Sequence, residues 1–251
     1  MSGMFDLSGR VAIVTGANTG IGQGIAIAFA EAGADVALVG RTPAEETAEE
    51  VRRAGRKAAI VHADLSTIAP VQGVVQRTTA ELGGVDILVN NAGIIRRADA
   101  LDFSEEDWDA VIDTNLKSVF FLSQAVARHM VEQGRGKIIN IASMLSFQGG
   151  IRVPSYTASK SGVAGLTKLL ANEWAAKGIN VNAIAPGYIA TNNTAALQDD
   201  EVRNRQILER IPAGRWGKPS DLAGAAVFLA SDASDYVHGH ILAVDGGWLA
   251  R

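Results

Sequence analysis

Short apolar runs alternate with longer stretches of helical periodicity from one end of the chain to the other. The predicted strands are Arg10–Thr15, Asp35–Gly40, Lys57–His62, Val85–Val89, Lys137–Ala142, Asn180–Ala185 and Ile241–Val244. The predicted helices are Gly20–Ala32, Pro43–Ala54, Thr67–Leu82, Ser104–Glu132, Tyr156–Lys177 and Pro219–Ala230. Repeated strand–helix units predict an α/β fold, with one doubly wound parallel sheet of about seven strands and helices on both faces.

One long segment interrupts this pattern. No strand or helix is predicted from Gly187 to about Pro212. A loop of that length inside a compact domain is usually functional, so we expect a substrate lid at about 187–215. No linker, repeat or low-complexity segment appears elsewhere, and residues 1–251 are predicted to form a single domain.

Composition narrows the class of protein further. The chain has 251 residues, 47% of them hydrophobic, a net charge of -4 and no cysteine. Without cysteine there is no disulfide, thiolate nucleophile or zinc–thiolate site, and we expect a cytoplasmic protein. The absence of a basic block argues against nucleic acid, and the absence of a long apolar run or an apolar N-terminal core argues against a membrane span or an export signal. The four histidines lack metal-binding spacing, so no metal is expected.

A glycine-rich turn follows the first predicted strand. It reads Thr15-Gly16-Ala17-Asn18-Thr19-Gly20-Ile21-Gly22 and leads into the first helix. Glycines let the backbone turn tightly and approach a pyrophosphate, and the free N–H groups at the helix start favour an anion. This position predicts a dinucleotide site.

A second group of residues suggests proton transfer. Tyr156 and Lys160 are four residues apart on a predicted helix and therefore share a face, while Ser143 ends a strand thirteen residues earlier. A tyrosine with an ordinary pKa near ~10 is a poor base at neutral pH, but a neighbouring ammonium favours its phenolate. A serine hydroxyl can stabilise charge on a substrate oxygen.

In their order and spacing these motifs resemble the short-chain dehydrogenase/reductase family. The TGxxxGxG spacing of residues 15–22, Asn90-Asn91-Ala92-Gly93 after the fourth strand, Asp64-Leu65 after the third and Pro186-Gly187 after the sixth all fit it. The resemblance covers essentially the whole chain and implies a Rossmann-type fold and an NAD(P)-dependent enzyme acting on CH–OH groups. It implies that Tyr156 is the proton carrier, that Lys160 also holds the nicotinamide ribose, and that Asn115 holds a water in a proton relay.

The same resemblance implies a set of cofactor-binding residues. They are Gly16, Asn18, Thr19, Gly20, Ile21, Gly22, Arg41, Asp64, Leu65, Asn90, Ala92, Gly93, Tyr156, Lys160, Pro186, Gly187, Ile189 and Thr191. Asn91 is assigned to structure rather than chemistry. Members that prefer NAD usually carry an acidic residue at the end of the second strand, where this chain has Gly40 and Arg41. An arginine can grip a 2′-phosphate, which favours NADP with NAD as the alternative.

Segments around the predicted site resemble the family's sugar-acid dehydrogenases of the keto-deoxy-gluconate and gluconate type. A dedicated sugar-acid site should offer a cation to the carboxylate, and Arg96 and Arg152 are the candidates, with Arg215 a weaker one. Ser146 and Gln148 are expected to meet sugar hydroxyls, and Met144, Leu145 and Phe147 to form the wall. The alternatives are a 3-oxoacyl-carrier-protein reductase and a cofactor-binding regulatory protein on the same fold.

The resemblance also implies a homotetramer. Family members commonly pair through two long helices, here about Ser104–Glu132 and Tyr156–Lys177, and through the C-terminal strand and tail. The tail ends on Trp248 and Leu249, which fits burial either at an interface or within the subunit.

Overall fold

The computed structural model describes residues 3–251, and its centre is a seven-stranded parallel sheet. The strands are β1 (Val11–Thr15), β2 (Asp35–Gly40), β3 (Ala58–His62), β4 (Ile87–Asn90), β5 (Gly136–Ile141), β6 (Ile179–Pro186) and β7 (Ile241–Val244). Their order across the sheet is β3-β2-β1-β4-β5-β6-β7, and every pair is parallel. The predicted α/β fold is confirmed.

Helices cover both faces of this sheet. They are α1 (Gly20–Glu31), α2 (Glu45–Arg53), α3 (Val71–Leu82), α4 (Glu105–Ile112), α5 (Ser118–Gln133), α6 (Pro154–Trp174), α7 (Ala195–Asp199), α8 (Glu201–Arg210) and α9 (Ala223–Ala230). One apolar core lies under α1, α2 and α9, and a second lies under α3, α5 and α6. The central strands β1, β4, β5 and β6 are buried along their whole length, as β-branched runs in parallel sheets are.

A buried polar network ties the sheet to the helices behind it. The amide nitrogen of Asn90 on β4 donates to Ser123 Oγ (3.0 Å) and to Asn140 Oδ1 (2.9 Å). Asn140 in turn donates to Thr167 Oγ1 on α6 at 3.0 Å. Because these buried groups satisfy one another, the network fixes the register of β4 and β5 against α5 and α6.

The predicted loop after Gly187 is wrong for residues 195–210, which form α7 and α8. The helical signal is weak because half of the residues of α8 are charged and only Ile207 is buried. A local cap compensates, since the Asp200 carboxylate accepts from the backbone N–H groups of Val202 and Arg203, each at 3.0 Å.

Two predicted helices also differ in detail. The helix predicted at Ser104–Glu132 is α4 and α5 joined by a π-helical turn at Asp113–Lys117. The helix predicted from Tyr156 begins two residues earlier, at Pro154, whose fixed φ suits the first helical position. In the part of the chain described, no helix has both the length and the apolar character needed to cross a membrane.

Candidate active site

A cleft opens at the carboxyl edge of the sheet, above β1 and β4. The chain leaves these two neighbouring strands in opposite directions, to β2 and to β5, and open α/β sheets bind ligands at such a point. Two adjoining cavities of about 250 and 400 Å³ make up the cleft. Both are lined by Gly16, Asn18, Ala92, Gly93 and Ile94, so they form one elongated groove.

The glycine-rich turn forms the floor of this groove. Gly16 and Gly20 have φ of 65° and 61°, in the left-handed region that favours glycine. A Cβ on Gly22 would overlap the carbonyl oxygen of Gly16 and the side-chain nitrogen of Asn91. Thr19 precedes α1 without capping it, and the first turn has no acidic residue. The open N–H groups of α1 therefore face a cradle suited to a pyrophosphate.

Asn91 braces this cradle. Its amide nitrogen donates to the carbonyl oxygens of Thr15 (2.8 Å) and Gly16 (3.2 Å). The Thr15 hydroxyl oxygen accepts from the backbone nitrogens of Asn91 and Ala92, both at 2.9 Å. Thr15 was not among the predicted site residues, although its position at the end of β1 was a signal. The expected cofactor contact of Asn90 does not hold for its side chain, which lies in the buried network.

The far end of the groove holds the residues predicted to face the adenosine. Arg41, Asp64 and Leu65 line the larger cavity together with Gly40. Hydrogen bonds from Ser66 hold the pKa of Asp64 below its ordinary value, and the nearby Arg41 adds to this. Arg41 is exposed, and its Nε lies 4.0 Å from the Asp64 carboxylate. The arginine can therefore turn toward a phosphate at small cost.

Tyr156 and Lys160 line the smaller cavity at the other end. The Lys160 amine is 5.5 Å from the centroid of the Tyr156 ring. Burial raises the pKa of Tyr156, against the opposing effects of the Ser143 hydroxyl and the Arg97 charge. The protein alone thus keeps the phenol protonated, ready to donate a proton.

Lys160 is 5% exposed, and its amine donates to the carbonyl oxygen of Ile141 at 2.6 Å. Burial lowers its pKa to about 8. Within residues 3–251 no carboxylate forms an ion pair with this amine. The ammonium is therefore held mainly for chemistry rather than for stability.

Asn115 lies in the π-helical turn and is 1% exposed. Its side chain pairs with the backbone of Ile94, accepting from the N–H and donating to the carbonyl, each at 2.8 Å. It also donates to Ser159 Oγ at 3.4 Å. Single π turns are frequent at functional sites. The side chain thus fixes the segment after Gly93, and its part in a proton relay stays a prediction.

Four cofactor-binding residues were predicted at the end of β6 and just after it, and only one of them lines the groove. Thr191 lines the smaller cavity with Asn192 and Asn193. Pro186 is the last residue of β6, whereas Gly187 and Ile189 line a separate cavity of about 170 Å³. Cofactor contacts of these three residues stay predictions.

Each arginine predicted to grip a substrate carboxylate has an acidic partner. Arg96 Nε lies 3.0 Å from Asp107, Arg152 Nε lies 3.3 Å from Asp99, and Arg215 is paired with Asp221 at 2.6 Å. Arg96 nevertheless lines the larger cavity. The pairing leaves these three as weaker candidates for a substrate anchor.

Arg97, which the sequence reasoning passed over, is a further candidate cation. Its charge acts on the pKa of Tyr156, and its Nη2 donates to the carbonyl oxygen of Asn193 at 3.2 Å. No ion pair to Arg97 forms within residues 3–251. The adjacent arginines 96 and 97 were the only signal, and the sequence alone could not tell which of them was neutralised.

The other substrate candidates have structural partners. Ser146 Oγ donates to the carbonyl oxygen of Lys160 at 2.7 Å, and the Gln148 side chain contacts Arg210 and Trp248. Contacts of Ser146 and Gln148 with sugar hydroxyls stay predictions. Leu145 stays a candidate wall residue and is half-buried, while Phe147 is exposed. Among the described residues, no three His, Asp or Glu side chains cluster as metal ligands would.

Comparison with known proteins gives matches along the whole chain. A family model described as enoyl-(acyl carrier protein) reductase matches residues 16–249. The 2-dehydro-3-deoxy-D-gluconate 5-dehydrogenase of Escherichia coli (strain K12) is 63% identical over 248 residues, which cover 98% of each chain. The gluconate 5-dehydrogenase of Gluconobacter oxydans (strain 621H) is 46% identical over 246 residues, covering 97% of this chain and 96% of the relative.

A solved structure is similar throughout. The crystal structure of a gluconate 5-dehydrogenase from Burkholderia cenocepacia J2315, in complex with NADP and tartrate, superposes with a TM-score of 0.94. It is 44% identical, and the match covers 99% of this chain and 98% of that one.

Proposed function

This chain belongs to the short-chain dehydrogenase/reductase family, and we propose that it transfers a hydride between NADP and a secondary alcohol or ketone of a sugar acid. The substrate is of the keto-deoxy-gluconate or gluconate type, the class in which the sugar-acid relatives are named. The observation that carries the proposal is Arg97, a cation near Tyr156 that has no acidic partner in the described chain.

The residues of the groove support this reaction in three parts. A bound nicotinamide cofactor supplies or accepts the hydride. Ser143 hydrogen-bonds the substrate oxygen, and Tyr156 donates a proton to that oxygen during reduction or takes it during oxidation. Burial favours the protonated phenol, which suits reduction, and oxidation requires additional positive charge nearby to lower the Tyr156 pKa. Lys160 provides one such charge.

The charge of Arg97 explains why the enzyme prefers a substrate that carries a carboxylate. An arginine fork can donate hydrogen bonds to both oxygens of a carboxylate, and a cation without a partner loses no ion pair when it does so. Asn192 and Asn193 line the cavity beside it and offer amides to sugar hydroxyls. An acyl chain would find polar side chains here rather than an apolar channel.

NADP is the favoured cofactor because of Arg41 and the space at Gly40. Apart from its chain neighbours, a Cβ at Gly40 would have only the Thr42 carbonyl oxygen near it, at 3.7 Å, so the position is open for a 2′-phosphate that Arg41 can reach. The Burkholderia relative, solved in complex with NADP, supports the same choice.

The test is Arg97→Met, assayed with a sugar acid and with an uncharged diketone. We expect kcat/KM for the sugar acid to fall by the equivalent of about 2–3 kcal/mol and that for the diketone to change little. Arg96→Met and Arg152→Met are matched controls, because their guanidinium groups already have carboxylate partners.

Three results would count against the proposal. Equal losses on both substrates would mean that Arg97 supports the fold rather than the carboxylate. If Arg96→Met instead lowered kcat/KM for the sugar acid alone, Arg96 rather than Arg97 would be the residue that binds the carboxylate. Turnover of 3-oxoacyl thioesters by the wild-type enzyme, with none of gluconates or keto-deoxy sugar acids, would replace the substrate class.

A further inference from the structure

The lid helix α8 meets the loop that carries Ser143 in two ways, through an apolar cluster that includes Met144 and Ile207 and through the polar side chain of Gln148. Gln148 Oε1 accepts a hydrogen bond from Arg210 Nη2, at the end of α8, at 3.3 Å. The same oxygen accepts from Trp248 Nε1, in the C-terminal tail, also at 3.3 Å. Arginine and tryptophan nitrogens only donate, so a side chain at 148 must present an acceptor to satisfy both.

The two donors are themselves packed together. The Arg210 guanidinium lies over the Trp248 ring, 4.0 Å from its centroid, and Trp248 is 5% exposed. Trp248 also contacts the Tyr188 ring, with centroids 4.8 Å apart. The tail thus forms a strap across the end of α8, and Arg251 Nη1 adds a contact to the Glu209 carbonyl oxygen at 3.3 Å.

Through its backbone, Gln148 is also connected to the turn that begins at the catalytic serine, Ser143. Its backbone nitrogen donates to the Met144 carbonyl oxygen at 3.2 Å, at the end of a short 3₁₀ turn, Met144–Ser146. Ser143 begins that turn, and its Oγ accepts from the Leu145 nitrogen at 3.2 Å. A movement of α8 therefore reaches the Ser143 loop through the Gln148 amide as well as through the apolar cluster.

We propose that Gln148 is a positioning residue that holds α8 closed against the Ser143 loop and so sets how readily the lid opens. Lids of this kind commonly limit ligand exchange. Loosening the contact raises the open fraction, weakens the binding of ligands and speeds their release. The role in turnover rests on the proposed function, whereas the role in lid opening does not.

The first measurement is trypsin cleavage within the lid of the NADP-loaded enzyme. Arg203 and Arg205 lie on α8, and cleavage of a locally open segment reports its open population. Gln148→Met removes the acceptor, and we expect cleavage after these arginines to be about tenfold faster. Gln148→Glu restores an acceptor and should return cleavage to the wild-type rate. Gln76→Met, which replaces an exposed glutamine on α3 outside the cleaved segment, is the matched control and should change nothing.

The second measurement separates positioning from mere structural support. Gln148→Met should raise KM for both the sugar acid and NADP several-fold, while kcat stays equal to the wild-type value or increases. A fall in kcat with unchanged KM, unchanged cleavage, or equal acceleration in Gln76→Met would each overturn the proposal. Should Gln148→Met not fold, Gln148→Asn, which keeps the amide but shortens its reach, is measured in the same way. If the wild-type enzyme does not turn over sugar acids, the proposed function is wrong. The trypsin experiment then still tests whether Gln148 holds α8 in place.

Discussion

Lys160 carries a buried ammonium whose only described polar contact is the Ile141 carbonyl oxygen. Burial lowers its pKa to about 8 from 10.5 in the unfolded chain. Between those two pH values the unfolded chain binds a proton that the folded chain lacks. The free energy of unfolding therefore rises with pH across this window, by about 3 kcal/mol in total, and the cost of the buried charge is fully present below pH 8.

Lys160→Met should therefore be inactive yet more stable than wild type at pH 7. We expect a gain of about 2 kcal/mol, since losing the hydrogen bond to Ile141 offsets about 1 kcal/mol of the relief from burying charge. The gain should shrink as pH rises from 8 to 10.5. Urea unfolding at several pH values measures it, with Lys168→Met, an exposed lysine on the same helix, as the control. A variant less stable than wild type at pH 7 would contradict the argument.

A second residue-scale prediction concerns Arg41, the proposed selector of the cofactor. Arg41→Ala should lower the ratio of kcat/KM for NADP to that for NAD by more than tenfold, because a lost phosphate pair costs on the order of 1.5–3 kcal/mol. Steady-state kinetics with both cofactors measure the ratio, and Arg52→Ala, an exposed arginine on α2 that lines neither cavity, is the control. A change of less than about twofold would remove Arg41 as the selector.

At the scale of the element, the turn from β1 into α1 has no room for a side chain at Gly22. A Cβ on Gly22 would meet backbone, which cannot move aside as the end of a flexible side chain can. Gly22→Ala should therefore raise the Kd for NADP more than tenfold and lower stability by about 1–3 kcal/mol. Equilibrium titration and urea unfolding measure the two effects.

The control is Gly73→Ala on α3, where a Cβ would meet nothing within 4 Å. That change should stabilise the protein by about 0.5–1 kcal/mol and leave the Kd alone, because alanine is the better helix former. Equal effects of the two substitutions would show that the cradle tolerates a methyl group.

Elements with a strong apolar period were predictable from the sequence, and α8 was not. The strands β1, β4, β5 and β6 are fully buried, so their composition alone marks them. The helix α8 depends on the Asp200 cap and on packing of Ile207 against residues distant in sequence, including Trp248. Similarly, the π turn at Asp113–Lys117 continues the helical period and leaves no mark in the pattern.

The residues of the candidate site likewise divide into those that the sequence could predict and those that it could not. Ser143, Tyr156, Lys160 and the glycine-rich turn were candidates from their spacing, because the chemistry proposed for them requires these residue types, and the last three line the groove. The choice between Arg96 and Arg97 depended on Asp107, which lies on another element and neutralises only the first. Long-range charge pairing of this kind has no local signature in a sequence.

At the scale of the whole molecule, one edge of the sheet and two helices leave apolar surface uncovered. The edge strand β7 is only partly buried, although its sequence, Ile241–Val244, is apolar throughout. Trp108 on α4 and Leu169 on α6 are 41% and 46% exposed. Trp248, by contrast, is buried within its own subunit, so the tail itself contributes less to an interface than its sequence suggested. Uncovered apolar faces and an open strand edge are surfaces that proteins usually cover.

The prediction is a homotetramer with twofold contacts through α4–α6 and through β7, the arrangement common in the family. Sedimentation at micromolar concentration should give a species of four times the 26.3 kDa chain mass. Leu169→Glu should split the tetramer into dimers, because pairing across a twofold axis would bury two like charges without partners. Val202→Glu, an equally drastic change at a 54% exposed position on the lid helix α8, should leave the tetramer intact. A wild-type monomer at micromolar concentration would contradict the prediction, and dissociation by both variants would mean that the effect is not specific to the α6 face.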